Sequence, residues 1–153
     1  MSGLLGIYGK AQRMSTVFRW SVRIFYEDTD TAGIVYYANY LKFFERARTE
    51  WLRAAGINQR ELSDTLQRAF VVSHSAIDYH APARLDDQLE ITVMVEKLGR
   101  ASVNFRQQAW RNSQNDPPAL ICNGLVRVGC VDTTSMRPAP LPTDVADRIR
   151  HRL

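Results

Sequence analysis

Three carboxylates, Glu27, Asp28 and Asp30, stand close together just before Gly33. The residues that follow, 34–37, are apolar or aromatic, so this stretch is not expected to be freely hydrated. A carboxylate placed ahead of a helix combines a nucleophile or base with the free N–H donors of the helix start. Such a pair suits reactions at a carbonyl carbon. The spacing alone is equally compatible with a solvated acidic turn that caps the helix.

This stretch must be positioned by a strand before it and a long helix after it. Residues 17–25 alternate in part between apolar and polar side chains, which predicts a half-buried strand. Apolar residues then recur with the period of a helix over about 37–55, and Gly56 is placed to end that helix. Asn58 is predicted to cap a short second helix over 59–67. The apolar face of the long helix is predicted to comprise Tyr40, Leu41, Phe44, Ala47, Trp51, Leu52 and Ala55.

The rest of the chain is strand-like. Further strands are predicted at 70–79, 89–98, 101–111 and 119–131. Gly99 and Arg100 are predicted to form the tight turn between two of them, and Thr143 to cap a C-terminal helix or tail over 143–153. One long helix with a five-stranded, mainly antiparallel sheet predicts an α+β fold in which the helix packs across the sheet.

The length of 153 residues fits one domain. We expect a flexible leader over 1–15 and the folded domain over 16–142. The net charge of +4 comes mainly from the two ends of the chain, and the body between them is near neutral. A nucleic-acid-binding domain should carry a basic face on its folded body, so this class of partner is not expected.

Cysteine usage favours a reduced, cytoplasmic setting. Cys122 and Cys130 lie on one predicted strand, roughly 26 Å apart, and cannot bridge each other. The sequence has no Cys-x-x-Cys pair and no histidine-rich cluster, so no metal or cofactor is expected. The apolar residues near the N-terminus are interrupted by glycines and Lys10, which argues against a signal peptide and against membrane insertion.

The stretch from Asp28 to Tyr40 reads DTDTAGIVYYANY. It resembles the motif of 4-hydroxybenzoyl-CoA-type thioesterases, which have the hotdog fold. Further segments at 43–50, 69–72 and 79–87 resemble one subgroup, the Tol–Pal-associated acyl-CoA thioesterases. The resemblance covers roughly residues 17–142, which is most of the chain.

The resemblance implies a hotdog fold, in which a curved five-stranded antiparallel sheet wraps a long helix. It implies active sites at the interface of a homodimer, which is often doubled into a homotetramer. Asp30 matches the catalytic aspartate, and the backbone N–H of Tyr37 matches the group that polarises the thioester carbonyl. Gly33, Tyr36 and Arg100 are assigned to substrate or CoA binding, with Arg100 against the CoA phosphates. The implied substrate is a short- or medium-chain acyl-CoA, with an aromatic acyl-CoA as the alternative.

One position departs from the subgroup. Many Tol–Pal-associated members have a histidine where this chain has Tyr37, so proton transfer by an imidazole is not available there. The aspartate chemistry does not depend on that histidine. Whether Asp30 attacks the thioester directly or activates a water is left open by the sequence.

Two other functions are weighed. One is a non-catalytic or weakly catalytic interaction protein of the Tol–Pal cell-envelope system, which retains the motif for its loop structure. The other is a hotdog dehydratase, which is disfavoured because the helix from Ala38 to Ala55 contains no histidine. His74, His80 and the Asp86–Asp87 pair are interpreted as ordinary strand or turn residues, and Asn39 as a structural residue of the loop.

Overall fold

The computed structural model describes residues 17–153, so the predicted leader lies outside the described residues. A short 3₁₀ turn, Tyr26–Asp28, follows the first strand. The strands are β1 Phe18–Arg23, β2 Arg68–Tyr79, β3 Gln88–Leu98, β4 Ser102–Arg111 and β5 Ala119–Asp132, and the helices are α1 Asn39–Ala54, α2 Gln59–Leu66 and α3 Thr143–Arg150.

The strands form one sheet in the order β1-β3-β4-β5-β2, and every neighbouring pair is antiparallel. The apolar face predicted for β3 is confirmed at Leu89, Ile91 and Val93, which are buried, but Thr92 of the opposite face is buried as well. Cys122 and Cys130 point into the core from β5, and both are free thiols. The prediction of a five-stranded antiparallel sheet in an α+β fold is therefore confirmed.

Helix α1 packs its apolar face against this sheet. The ring of Phe44 approaches β5 closely: a Cβ on Gly124 would come 2.5 Å from Phe44 Cε2. Trp51 packs edge-on against Phe105 of β4, with ring centroids 5.4 Å apart. The predicted face was wrong at Leu41, which is 42 % exposed, and it omitted Phe43, which is 1 % exposed. The buried side chains of α1 are Tyr40, Phe43, Phe44, Ala47, Arg48, Trp51 and Leu52.

The predicted end of helix α1 is confirmed. Gly56 has φ 80°, its N–H bonds the Arg53 carbonyl, and the N–H of Ile57 bonds the Leu52 carbonyl. This pair of bonds is the Schellman arrangement, which needs a left-handed residue at the position of Gly56. The side chain of Asn58 caps helix α2 as predicted, by accepting from the N–H groups of two residues in its first turn.

Two local predictions were wrong by one residue. Thr143 is the first residue of helix α3, and the cap position is Pro142, which has no side-chain acceptor. In the turn between β3 and β4, the N–H of Gly99 bonds the carbonyl of Ser102, so Arg100 and Ala101 are the central residues. None of the helices within residues 17–153 combines the length and the apolar character needed to cross a membrane.

Candidate active site

The chain between β1 and α1 folds back on itself as a small hairpin. Thr29 pairs with Val35, and the N–H of Asp30 bonds the Ile34 carbonyl at 2.9 Å. The N–H of Gly33 bonds the Asp30 carbonyl at 3.0 Å, and Gly33 has φ 77°. A three-residue loop that ends in a left-handed residue favours glycine there. We call residues 26–40 the hairpin segment.

The carboxylate of Asp30 is exposed at the tip of the hairpin segment. Its Oδ1 accepts a hydrogen bond from the N–H of Ala32 at 2.8 Å, so the side chain stabilises its own turn. Its second oxygen, Oδ2, accepts no hydrogen bond from the described residues, and no lysine, arginine or histidine of residues 17–153 forms an ion pair with it. One carboxylate oxygen is therefore free to meet a substrate or a water.

Asp28 has a different, structural set of contacts. Its Oδ2 accepts from the N–H of Phe25 at 2.8 Å, and its carbonyl accepts from the N–H of Tyr36 at 3.0 Å. The same carbonyl accepts from Nδ2 of Asn39, the first residue of helix α1, at 2.9 Å. These bonds tie the start of the helix to the first limb of the hairpin segment, so Asn39 positions the loop.

The start of helix α1 lies slightly later than predicted. Asn39 is the first helical residue, and Ala38 holds the N-cap position without a side-chain cap. The backbone N–H of Tyr37 donates to no acceptor in the described part of the chain, and Tyr37 is 61 % exposed. The N–H that the family resemblance assigned to the thioester carbonyl is therefore unengaged within residues 17–153, and it lies one residue ahead of the N-cap.

An aromatic cluster surrounds this donor. The rings of Tyr36 and Tyr37 lie 4.9 Å apart between centroids, and the ring of Tyr79 meets that of Tyr37 edge-on at 6.2 Å. The hydroxyl of Tyr79 donates to the Tyr37 carbonyl at 3.0 Å. Sequence analysis assigned no role to Tyr79, because no local pattern relates a residue at the end of β2 to the start of α1.

The pKa values of Tyr36 and Tyr79 in this cluster are raised. Partial burial is the largest cause that raises the pKa of Tyr79 above its ordinary value, followed by the neighbouring Cys122 thiol. The nearby Tyr37 hydroxyl raises the pKa of Tyr36. A raised pKa keeps the hydroxyls of Tyr36 and Tyr79 protonated, and that of Tyr79 acts as a hydrogen-bond donor.

The segment before β3 supports the second limb of the hairpin. The N–H of Val35 bonds the Ala83 carbonyl at 2.9 Å, and Ile34 pairs with Arg84. Asp86 has φ 70°, and Oδ2 of Asp87 accepts from the N–H of Arg84, which makes the Asp86–Asp87 pair a turn as predicted.

Arg100 is not brought to the hairpin segment within one protomer. It follows the far end of β3, whose near end adjoins the 83–87 turn, and the strand separates the two by roughly 30 Å. His74 is exposed on β2, and the N–H of His80 bonds the Ile121 carbonyl just beyond β2. No group of three His, Cys, Asp or Glu side chains among residues 17–153 could hold a metal ion.

Comparison with known proteins identifies the family. Residues 32–117 match the model of the thioesterase superfamily. The chain belongs to this superfamily. The acyl-CoA thioesterase YbgC of Haemophilus influenzae is 42 % identical to this thioesterase over 88 % of this chain and 95 % of its own. The acyl-CoA thioester hydrolase YbgC of Escherichia coli is 44 % identical over 86 % and 94 % of the two chains.

Solved structures confirm the fold of this thioesterase. A 1,4-dihydroxy-2-naphthoyl-CoA thioesterase from Synechocystis superposes with a TM-score of 0.78 at 21 % identity, over 88 % of this chain and 96 % of its own. A 4-hydroxybenzoyl-CoA thioesterase, an Asp-to-Asn mutant complexed with 4-hydroxybenzoyl-CoA, superposes with a TM-score of 0.82 at 20 % identity, over 88 % and 99 %. The predictions of the family and of the hotdog fold are therefore confirmed.

Proposed function

We propose that this enzyme hydrolyses acyl-CoA thioesters with Asp30 as the reacting carboxylate and the N–H of Tyr37 as the oxyanion donor. The general activity, hydrolysis of the acyl-CoA thioester, agrees with the names of relatives 42 % and 44 % identical over nearly their whole length. The observation that supports the residue roles is the hairpin segment. It presents an unengaged oxygen of Asp30 and an unengaged N–H of Tyr37 on one short piece of chain.

The chemistry needs few groups. A thioester carbonyl is a good electrophile, and the CoA thiolate is a good leaving group, so no strong acid is required. Asp30 either attacks the carbonyl to form a mixed anhydride that water then cleaves, or removes a proton from an attacking water. Each route passes through a tetrahedral oxyanion, for which one N–H donor contributes roughly 3–4 kcal/mol. The products are the free carboxylate and CoA.

Tyr36 and Tyr37 form the wall beside the reacting carbonyl in this proposal. With tyrosine at position 37, no imidazole is available to transfer a proton, and the raised pKa of Tyr36 keeps that hydroxyl protonated. Exposed aromatic rings suit an apolar acyl group, either a short or medium chain or an aromatic one. Nothing lies within 4 Å of the position that a Cβ would take at Gly33, so the loop tip is open to substrate.

Pairing of two copies through β2 would complete the site. Strand β2 is an edge strand of 12 residues, and its middle, between Arg68 and Asp78, carries no lysine, aspartate, glutamate, arginine or proline. The opposite edge, β1, has only 6 residues and includes Arg19 and Arg23. Long edges without charge favour pairing with another strand, whereas short charged edges resist it. We therefore propose a homodimer through β2, which a further pairing would double into a homotetramer.

The proposed CoA contact of Arg100 depends on such an assembly, because this residue lies far from the hairpin segment of its own protomer. Size-exclusion chromatography with light scattering tests the assembly directly. A proline in place of Ala76, in the middle of β2, should yield monomers, whereas the same change at exposed Ser21 of β1 should leave the assembly intact. Cytoplasmic location and association with the Tol–Pal system stay predictions.

The test of the catalytic role is CoA release from a panel of acyl-CoA substrates of increasing chain length, with benzoyl-CoA included. Asp30→Asn should lower kcat/KM by about a thousandfold, the middle of the range for loss of a general base. Glu27→Gln is the matched control, because Glu27 is another exposed carboxylate of the hairpin segment. It should stay within about twofold of the unmodified enzyme.

Undiminished hydrolysis by Asp30→Asn would reject the proposed mechanism. Negligible hydrolysis of the whole panel by the unmodified protein, together with binding to an envelope partner, would favour the interaction-protein alternative.

A further inference from the structure

Arg111, the last residue of β4, extends its guanidinium from the sheet to the segment 82–87. Its backbone pairs with β3 on one side and with β5 on the other, so this residue is anchored within the sheet. Its Nη1 donates to the carbonyl of Pro82 at 2.8 Å and lies 3.6 Å from Oδ2 of Asp87. A single nitrogen atom therefore joins both ends of the segment to the sheet.

The carboxylate that faces Arg111 also closes the turn of this segment. Oδ2 of Asp87 accepts from the N–H of Arg84 at 2.9 Å, and the N–H of Asp87 bonds the Arg84 carbonyl at 3.1 Å. A hydrogen bond to an ionised carboxylate is stronger than one between neutral groups. The ion pair with Arg111 thus fixes a turn whose shape depends on the same oxygen atom.

The peptide group between Pro82 and Ala83 is held from two sides. Its carbonyl oxygen accepts from Arg111, as described above, and its N–H is that of Ala83. Burial raises the pKa of the Tyr40 hydroxyl, and a hydrogen bond from the backbone N–H of Ala83 opposes that rise. Tyr40 is buried in the first turn of helix α1. This peptide group therefore links the end of β4 to the start of α1.

The next carbonyl along the chain, that of Ala83, supports the hairpin segment. It accepts from the N–H of Val35 at 2.9 Å, and the carbonyl of the preceding residue, Ile34, accepts from the N–H of Asp30 at 2.9 Å. Tyr37 follows two residues after Val35. A short chain of hydrogen bonds thus leads from Ala83 to Asp30, and the same limb of the hairpin continues to the proposed oxyanion donor.

We propose that Arg111 is a positioning residue of the thioesterase reaction, which fixes the carboxylate of Asp30 relative to the N–H of Tyr37 through the segment 82–87. The inference rests on the proposed roles of Asp30 and Tyr37. Within residues 17–153 the polar contacts of the Arg111 guanidinium are confined to this segment, so it acts through the segment. A displacement of about 1 Å between reacting groups can lower a rate about a hundredfold, so a looser segment should slow the reaction measurably.

Measurement of kcat and KM for CoA release tests the proposal. Arg111→Met keeps much of the apolar stem but has no donor, and it should lower kcat about tenfold while KM stays within about twofold. The reason is that groups acting in the transition state are displaced, whereas substrate binding is retained. Arg111→Lys should restore kcat to within about threefold of the unmodified enzyme, because both contacts of Arg111 come from one nitrogen that an ammonium can replace.

Arg106→Met is the matched control. Arg106 lies on the same strand with a side chain 38 % exposed, against 33 % for Arg111, and it forms an ion pair with Glu96 at 3.0 Å. Its replacement removes an arginine and an ion pair without loosening the segment 82–87. We expect kcat to stay within about twofold of the unmodified enzyme.

Two further variants separate positioning from a general loss of structure. In Asp30→Asn, the additional change Arg111→Met should lower kcat/KM by less than about threefold, because no carboxylate is left to position. Asp87→Asn removes the charge opposite Arg111 but keeps an oxygen for the N–H of Arg84, and it should lower kcat about threefold. Asp87→Asn decides the question if Arg111→Met does not fold.

Unchanged kcat in folded Arg111→Met, or an equal loss in Arg106→Met, would overturn the proposal. So would a failure of Arg111→Lys to restore kcat, a full tenfold loss in the Asp30→Asn background, or unchanged kcat in Asp87→Asn. A purely structural Arg111 would lower the melting temperature when replaced but leave kcat unchanged, which also overturns it. Full activity of Asp30→Asn would reject the proposed function and this inference together, whereas an inactive Asp30→Asn beside a fully active Arg111→Met would reject this inference alone.

Discussion

Asp30, just ahead of helix α1, is exposed, and within residues 17–153 its carboxyl group accepts a hydrogen bond only from the N–H of Ala32, whereas Arg48, midway along the same helix, is a cation with 9 % exposure. Asp30 retains its hydration, so folding costs little and the charge stays available for reaction. Arg48 loses most of its hydration, and within residues 17–153 it recovers only a neutral partner, Gln107. We therefore expect that replacement of Asp30 leaves the fold intact, whereas loss of the partner of Arg48 destabilises it.

The largest expected effect is that of replacing exposed Asp30, and it concerns activity alone. Asp30→Asn should lower kcat/KM about a thousandfold while the free energy of unfolding changes by less than about 0.5 kcal/mol. Asparagine retains the oxygen that accepts the Ala32 N–H, so the turn is preserved. Urea denaturation alongside the CoA-release assay checks both quantities. A large loss of stability in Asp30→Asn would contradict the expected difference between exposed Asp30 and buried Arg48.

At buried Arg48 we expect the main effect on stability. Gln107→Leu leaves Arg48 and the Phe44 carbonyl without their partner, and it should lower the free energy of unfolding by about 3 kcal/mol. Urea denaturation measures this change. The double variant Arg48→Met with Gln107→Leu should regain most of the loss, because no buried charge is left unpaired. Equal destabilisation in the single and double variants would show that the charge is not the cause.

A smaller effect is expected at the hairpin tip. Gly33→Ala should lower the free energy of unfolding by about 1–2 kcal/mol, because φ 77° is unfavourable for a residue with a Cβ. Nothing lies within 4 Å of the new Cβ, so the cost is conformational and not a clash. Gly33→Asn is the control, since asparagine tolerates this conformation better and should lose less. A loss as large in Asn as in Ala would point to a different cause.

The smallest effect is expected at the bond that spans the hairpin segment and β2. Tyr79→Phe keeps the ring against Tyr37 but removes the bond from its hydroxyl to the Tyr37 carbonyl. We expect kcat/KM to fall about fivefold, equivalent to about 1 kcal/mol, because the residue whose N–H is the proposed donor is held less firmly. Tyr26→Phe, at an 83 % exposed tyrosine, is the control and should change nothing measurable. Equal rates in both variants would show that this bond does not position the donor.

Local features of the fold were predictable from the sequence because their causes lie within a few residues. The apolar face of β3, the left-handed Gly56 after α1 and the cap from Asn58 all agree with the structure. Errors arose where contacts between residues distant in sequence decide which side chains are buried, as on the apolar face of α1. Phe43 is buried and Leu41 is not, because contacts to the sheet and to the ring of Tyr40 select which flank of the helix is covered.

In the candidate site, too, residues within one segment were predictable and residues brought together from distant segments were not. Asp30, Gly33 and the free N–H of Tyr37 lie within one hairpin, so motif and spacing were enough to identify them as candidates. Tyr79 was missed because its partner is 42 residues away in sequence. Arg48 continues the apolar row of Phe44 and Trp51 on the helix, a signal that could have suggested burial but could not have named a partner.

The sequence by itself determined the order of the elements, the left-handed Gly56, the cap from Asn58 and the candidate motif, because hydrophobic period, glycine conformation and helix capping act over a few residues. Only the tertiary structure decided which distant groups meet. It set the bond from Tyr79 to the Tyr37 carbonyl and the bond from Arg48 to Gln107, 59 residues apart. Such pairings depend on how the sheet wraps the helix, which no short stretch of sequence encodes.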